Sequence, residues 1–264
     1  MARRRGPADP LNHCGLNVAL YGRKRRWAMT ERGRGTVQRG DAQLRIGPSA
    51  LDWDGATLTI RIEEVTAPVP SRLRGVVRIR PAGINPRRFT LDAAGRHRWQ
   101  PIAAVARAEV ALESPGLCWS GPAYFDTNDG DAPLERDFVD WDWCRAPLRE
   151  GAAILYNAQR RDGTRQSLAL RVDGRGSVQE VAPPPPARLP RTRWGIGRPT
   201  GADAGHQPRV MRVLEDAPFY ARSVIETHLL GEPALAVHES LSLDRFAALP
   251  VQMMLPFRIP RRWT

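Results

Sequence analysis

Between residues 119 and 146 the chain reads WSGPAYFDTNDGDAPLERDFVDWDWCRA. Asp126, Asp129, Asp131, Glu135, Asp137, Asp140 and Asp142 are interleaved there with Trp119, Tyr124, Phe125, Trp141 and Trp143. A carboxyl beside aromatic rings loses hydration, which favours its neutral form and raises its pKa. A protonated carboxyl in an apolar site can act as a general acid. Trp and Tyr faces stabilise a nearby cation by about 0.5–2 kcal/mol per ring. An acid among aromatic faces is therefore equipped to protonate an alkene through a carbocation, chemistry that needs no metal or nucleotide. Asp126 is the leading candidate for that acid. Trp119, Phe125, Trp141 and Trp143 are the rings expected to meet an apolar substrate.

Spacing suggests how such groups would be brought together. In RHRW, His97 and Trp99 are two residues apart, and in YFD so are Tyr124 and Asp126. On a strand each pair faces one side. Two such pairs on neighbouring strands would line one interior. The other histidines, His13, His206, His228 and His238, have no helical zinc spacing and no cysteine cluster beside them. DTNDGD at 126–131 places Asp131 and Asp137 where a calcium loop needs Gly and Glu. GIGRPTG at 195–201 follows a proline run and contains Pro199, so it is not a dinucleotide fingerprint. Neither a metal nor a cofactor is expected.

The elements that must position these residues read as β. Asp54-Gly55, Asp162-Gly163 and Asp173-Gly174 each separate alternating segments, a strong hairpin signal. Leu58, Ile60 and Ile62 share one strand face, as do Leu168, Leu170 and Val172. Many short strands at this spacing argue for a sandwich or barrel. SLSLDRFAAL suits a short helix with Ser242 as N-cap. APPPPARLP, residues 182–190, reads as a stiff polyproline connector, either between domains or as a loop within the second. With 264 residues the chain suits one large domain or two small ones.

Net charge is +12, and Lys24 is the sole lysine among 40 basic residues. The arginine bias suits a GC-rich genome, so position says more. Residues 1–40 hold ten basic and two acidic residues, and FRIPRRWT adds basic charge at the other end. Such patches suit anionic lipid headgroups or nucleic acid. The chain has no nucleic-acid motif, and the acidic aromatic stretch argues against that partner. No apolar run reaches the roughly 18–20 residues of a membrane span, and the start MARRRGPADP has no apolar signal region. A cytoplasmic location is the expectation, with Cys14, Cys118 and Cys144 as free thiols.

Four long motifs, LNHCGLNVALYGRKRRWAMTERGRG, GPAYFDTNDGDAPLERDFVDWDW, LEDAPFYARSVIETHLLGE and AVHESLSLDRF, together resemble the carotenoid 1,2-hydratase (hydroxyneurosporene synthase) family of phototrophic bacteria. The resemblance runs through nearly the whole chain. It implies an all-β fold of two lipocalin-like β-barrel domains, here expected at 1–148 and 149–264. It also implies cofactor-free hydration of the terminal C1–C2 double bond of acyclic carotenes such as neurosporene and lycopene. The family's acid and its companions match Asp126, Tyr124, His97 and Trp99. Asp126 would protonate C2, and His97, or Asp126 through water, would take the proton of the attacking water. The family pattern begins earlier, with an aromatic-rich segment and a further apolar strand, so the first barrel is expected to be incomplete. The basic ends would dock a peripheral protein on an anionic inner or intracytoplasmic membrane, where the carotene lies. The competing reading is a lipocalin-like carrier of a carotenoid or other lipid without chemistry.

Overall fold

The computed structural model describes residues 9–262. The arginines at positions 3–5 and the final Trp-Thr lie outside the described residues. The chain is all-β, as expected, and divides into two compact units that are interleaved in sequence. Unit 1 comprises residues 1–80, 107–123 and 253–264, and unit 2 comprises 81–106 and 124–252. Residue 148, the boundary expected from sequence, lies inside unit 2.

Five strands, β1 (Val37–Arg39), β2 (Gln43–Ile46), β3 (Ser49–Trp53), β4 (Leu58–Val65) and β5 (Arg72–Pro81), form an antiparallel meander in unit 1. Two long strands follow, β6 (His97–Ser114) and β7 (Leu117–Gly130). Each has residues in both units. The Asp54-Gly55 hairpin forms between β3 and β4. Ile62, Leu73, Val110, Leu112 and Ala28 make the core of unit 1, with Ile60 packed on it. Glu64 continues the buried side of β4, where apolar burial would fail. Arg32 instead donates to both its carboxylate oxygens, at 2.9 and 2.8 Å, and Ser49 Oγ donates at 2.8 Å. Gly47 has φ +59°, and a β-carbon there would lie 2.4 Å from Arg32 Nε. Glycine at this turn is what lets the arginine reach Glu64.

Unit 2 contains β8 (Phe138–Leu148), β9 (Gly151–Arg160), β10 (Arg165–Asp173), β11 (Val178–Val181), β12 (Pro186–Leu189), β13 (Arg198–Gly201), β14 (Arg209–Asp216), β15 (Tyr220–Leu229) and β16 (Glu232–Ser242). A seven-stranded antiparallel sheet runs in the order β11-β10-β9-β8-β16-β15-β14. Both the Asp162-Gly163 and Asp173-Gly174 hairpins form as the sequence indicates. Alternation gives the sheet two faces. On one, Trp143, Ile154, Tyr156, Leu170 and Val172 are buried together. On the other, Cys144, Ala146, Ala153, Leu155, Ala169 and Ile225 are buried with Leu189 of β12. Burial on both sides explains why AAILY in β9 is continuously apolar rather than alternating.

The polyproline stretch belongs to unit 2. Its end forms β12, which pairs with β13 as a hairpin over the second face. His238 Nε2 donates to the Pro199 carbonyl at 2.8 Å and ties the hairpin to the sheet. Part of the GIGRPTG glycine motif is thus a strand. Helix α1 (Leu243–Ala247) starts at Ser242, whose hydroxyl caps the Arg245 N–H, as predicted. Helix α2 (Leu249–Arg258) follows it.

Candidate active site

Within unit 2, strands β6 and β7 bring the two predicted pairs together. Trp99 Nε1 donates to Asp126 Oδ2 at 2.8 Å, and the Tyr124 hydroxyl donates to the same oxygen at 2.9 Å. Trp99 is completely buried. Phe89 pairs with it across a short strand, with ring centres 5.6 Å apart. The Tyr156 ring lies 4.9 Å from it on another side. Tyr124 packs on Trp143 at 5.0 Å. The Arg145 guanidinium lies 5.8 Å from the Tyr124 ring centre while donating to the Ala104 carbonyl.

Burial raises the pKa of Asp126; the donors Trp99 and Tyr124, and the charge of Arg222, oppose it without cancelling it. Burial and the neighbouring Asp126 charge hold the Tyr124 hydroxyl well above its ordinary value, so it remains a donor. Because both donors converge on Oδ2, Oδ1 is left as the oxygen to bear a transferable proton. When Asp126 is protonated, this arrangement lets the proton sit on Oδ1, away from both donors.

His97 lies on the same strand as Trp99 and is equally buried, but its ring has a different partner. Its Nε2 donates to Asp137 Oδ2 at 2.7 Å, and Asp137 also accepts from Arg96 at 2.6 Å. Its backbone N–H donates to Asp92 Oδ1 at 2.7 Å. A β-carbon at residue 130 would sit 2.8 Å from His97 Nδ1, so Gly130 gives the ring its space. Trp141 joins the cluster by stacking on Tyr156 at 6.0 Å. Phe125 points to the other side of its strand from Tyr124 and Asp126. Trp119 lies in unit 1 and is 52% exposed, so it is not part of this cluster.

The remaining acids of the stretch have other uses. Asp129 and Asp131 both accept from Arg98, at 2.5 and 2.9 Å. Among the described residues no group of His, Cys, Asp and Glu is placed to hold a metal ion. Asp142 lies on the opposite face of the sheet from Trp143. It lines a cavity of about 780 Å³ with Asn157, Arg165, Pro184, Arg198 and Thr200. Burial pushes its pKa up to about 7, against a hydrogen bond from Asn157 Nδ2 at 2.9 Å.

Sequence reasoning missed Asp137, Tyr156 and the pair Glu239–Arg222. Glu239 stands opposite Trp143 across β16 and β8, and opposite Arg222 across β16 and β15. Arg222 donates to Glu239 Oε1 at 2.7 Å. The available signal was alternation in AVHESLS, which puts Glu239 on one face with Val237 and Leu241.

Fold and site define an all-β, lipocalin-like protein that holds a buried carboxyl among aromatic rings. Residues 1–264 match the family described as carotenoid hydratase CrtC, and the chain belongs to that family. A protein of Thiocapsa roseopersicina named acyclic carotenoid 1,2-hydratase is 58% identical over 98% of this chain and 65% of its own length. The protein of the same name from Rubrivivax gelatinosus is 47% identical over 97% of this chain and 63% of its own. That from Cereibacter sphaeroides is 43% identical over 97% and 92%. The chain thus spans slightly less than two thirds of the first two relatives. The crystal structure of CghA with Sch210972 shares the fold, with TM-score 0.50 and 12% identity over 86% of this chain and 74% of that one.

Tyr124→Phe removes one donor that favours charged Asp126, so the Asp126 pKa rises further. A carbon-13 NMR titration of the labelled carboxyl reads this; an unchanged or lower value would contradict the Oδ2 geometry. Asp142 supplies a second test. An unfolded Asp titrates at about 3.9, whereas the folded one titrates at about 7. The unfolded chain therefore releases its proton first, and stability is lost as pH rises from about 4 to about 7. Asp142→Asn keeps an acceptor for Asn157 and removes this titration. Its stability over wild type should grow across that window to a few kcal/mol, on the order of 1.4 kcal/mol for each pH unit crossed. Denaturant melts at pH 4.5 and pH 8 measure the difference, and an equal response in both proteins would refute it.

Proposed function

We propose that this protein is a cofactor-independent hydratase that adds water across the terminal C1–C2 double bond of acyclic carotenes such as neurosporene and lycopene. The observation that supports this most directly is the buried Asp126 carboxyl, held through one oxygen by two neutral donors and surrounded by rings. The name acyclic carotenoid 1,2-hydratase borne by the relatives agrees with it. Neutral Asp126 donates its Oδ1 proton to C2. The π pair forms the new C2–H bond and leaves a tertiary cation at C1. The faces of Trp143, Tyr124 and Tyr156 stabilise that cation without reacting with it, because the tyrosine hydroxyls stay protonated in their buried settings. Water adds to C1 and loses a proton, giving the tertiary alcohol. His97 acts at one remove, by fixing the start of β6 through Asp137.

We also infer that the protein works peripherally at an anionic membrane surface, from the cytoplasmic side. No helix among the described residues is long and apolar enough to cross a membrane. In unit 1, Met253, Met254 and Phe257 of α2 are exposed, Phe257 by 79%. Arg258 of the same helix lies over the Trp27 ring at 4.5 Å, close in sequence to the exposed turn Arg23-Lys24-Arg25. Apolar side chains beside basic ones fit a headgroup layer, with about 1 kcal/mol per basic residue near an anionic surface.

Purified protein incubated with lycopene in liposomes should yield a product heavier by one water. Asp126→Asn should lower that yield by at least about 100-fold while leaving carotene binding intact. Undiminished hydration by the variant would remove Asp126 from the chemistry, and binding without any wild-type product would favour a carrier. Flotation with vesicles tests the surface: binding to anionic vesicles should fall as salt rises, and equal binding to neutral vesicles would refute electrostatic docking.

A further inference from the structure

The hydratase reading leaves one proton unaccounted for, that of the attacking water. His97 is engaged by Asp137, which Arg96 also holds. A second carboxylate lies on the aromatic face of the sheet. Glu239 is directly opposite Trp143 in register, and Trp143 packs on Tyr124, the donor to Asp126. Its side chain is 14% exposed. Arg222 holds Oε1 at 2.7 Å, and the Tyr220 side chain also hydrogen-bonds the carboxylate; its two oxygens have lone pairs enough to accept a further proton. Resting on the proposed hydration, we propose that Glu239 is the base that takes the proton of the attacking water, and that Arg222 is its positioning residue.

Burial raises the pKa of both carboxyls, and the two differ in the partners that hold them. Asp126 accepts from neutral donors only, an indole and a phenol. Glu239 is paired with a guanidinium, which favours its charged form. Burial nonetheless holds Glu239 above its ordinary value against Arg222 and Tyr220, and the charge of Asp126 adds to the rise. This mutual influence has a use in turnover. Once Asp126 has given its proton to C2 it becomes an anion, and the proton affinity of Glu239 increases as water approaches C1.

Atoms and charge balance without any further reactant. The Asp126 O–H bond breaks and C2–H forms. The water oxygen forms the C1–O bond, and one of its O–H bonds breaks with the pair staying on oxygen. Its proton goes to the Glu239 carboxylate. Transfer of that proton from Glu239 to Asp126 restores the starting state. Other titratable groups on this face are Arg222 and Tyr220 on β15, Arg145 on β8, Tyr156 on β9 and Tyr124 on β7. Burial holds the Tyr124 and Tyr156 hydroxyls above their ordinary values, so the carboxyls are the groups expected to titrate first.

The test uses the full chain, lycopene in liposomes and deuterated water, comparing wild type, Glu239→Gln, Glu239→Asp and Asp126→Asn. Reversible protonation at C2 places deuterium in recovered carotene even when no water is captured. Glu239→Gln should lose hydration about 100-fold or more yet still exchange deuterium. Asp126→Asn should lose both. Glu239→Asp should recover part of the hydration, which a purely structural role for the glutamate would not require. Wild-type hydration should fall at low pH, as Glu239 takes a proton, and Glu239→Gln should lack that acid limb. Hydration by Glu239→Gln within about twofold of wild type, or an acid limb that persists in it, would overturn the assignment. So would parallel loss of hydration and exchange in a Glu239→Asp protein that melts like wild type. A wild-type protein that neither hydrates nor exchanges would instead overturn the hydratase reading, and the assignment with it.

Discussion

A carboxyl kept from water costs free energy in its charged form, and the chemistry proposed for this protein begins with that cost. Asp126 sits where burial favours the proton, and its two donors are neutral. An arginine in the place of Trp99 would have stabilised the anion and removed the acid. Trp99 meets the requirement because one side chain supplies a hydrogen bond and a large apolar body. It can do so only because Phe89 and Tyr156 enclose it.

The two-faced sheet of unit 2 extends the same principle. From Asp140 onward, past the bulge that follows Phe138, odd-numbered positions on β8 face the aromatic cluster and even-numbered ones the opposite face of the sheet. Trp143 and Asp142 are neighbours in sequence, yet they belong to different environments. Asp142 and Asp126 are both pushed toward neutrality, but of these two only Asp126 is on the side of the aromatic rings. The large cavity lies on the Asp142 side, so cavity volume alone would point away from the proposed chemistry.

Much of this was legible in the sequence because it depends on period two. Alternation placed His97 with Trp99 and Tyr124 with Asp126, and the Asp-Gly turns located three hairpins. The proline run was less legible, since composition says that it is stiff but not that Leu189 is buried under it. Asp137 and Glu239 were missed for a related reason. Their roles depend on partners 40 residues away for His97 and Asp137, and on cross-strand register for Glu239 and Arg222. The exposure of Trp119 was not legible, because an interleaved pattern does not tell which aromatic ring turns outward. The interleaving of the two units along the chain depends on long-range pairing, which local patterns do not encode.

The convergence of Trp99 and Tyr124 on a single oxygen also has a geometric consequence. A carboxyl pinned through Oδ2 presents its other oxygen from a fixed direction. A flat alkene held against such a group receives hydrogen on one face only. In the product of the proposed hydration C2 would carry two hydrogens and hide this choice, but with a heavy isotope it would become a stereocentre. The handedness of that centre would be written by which oxygen of Asp126 the two aromatic donors occupy.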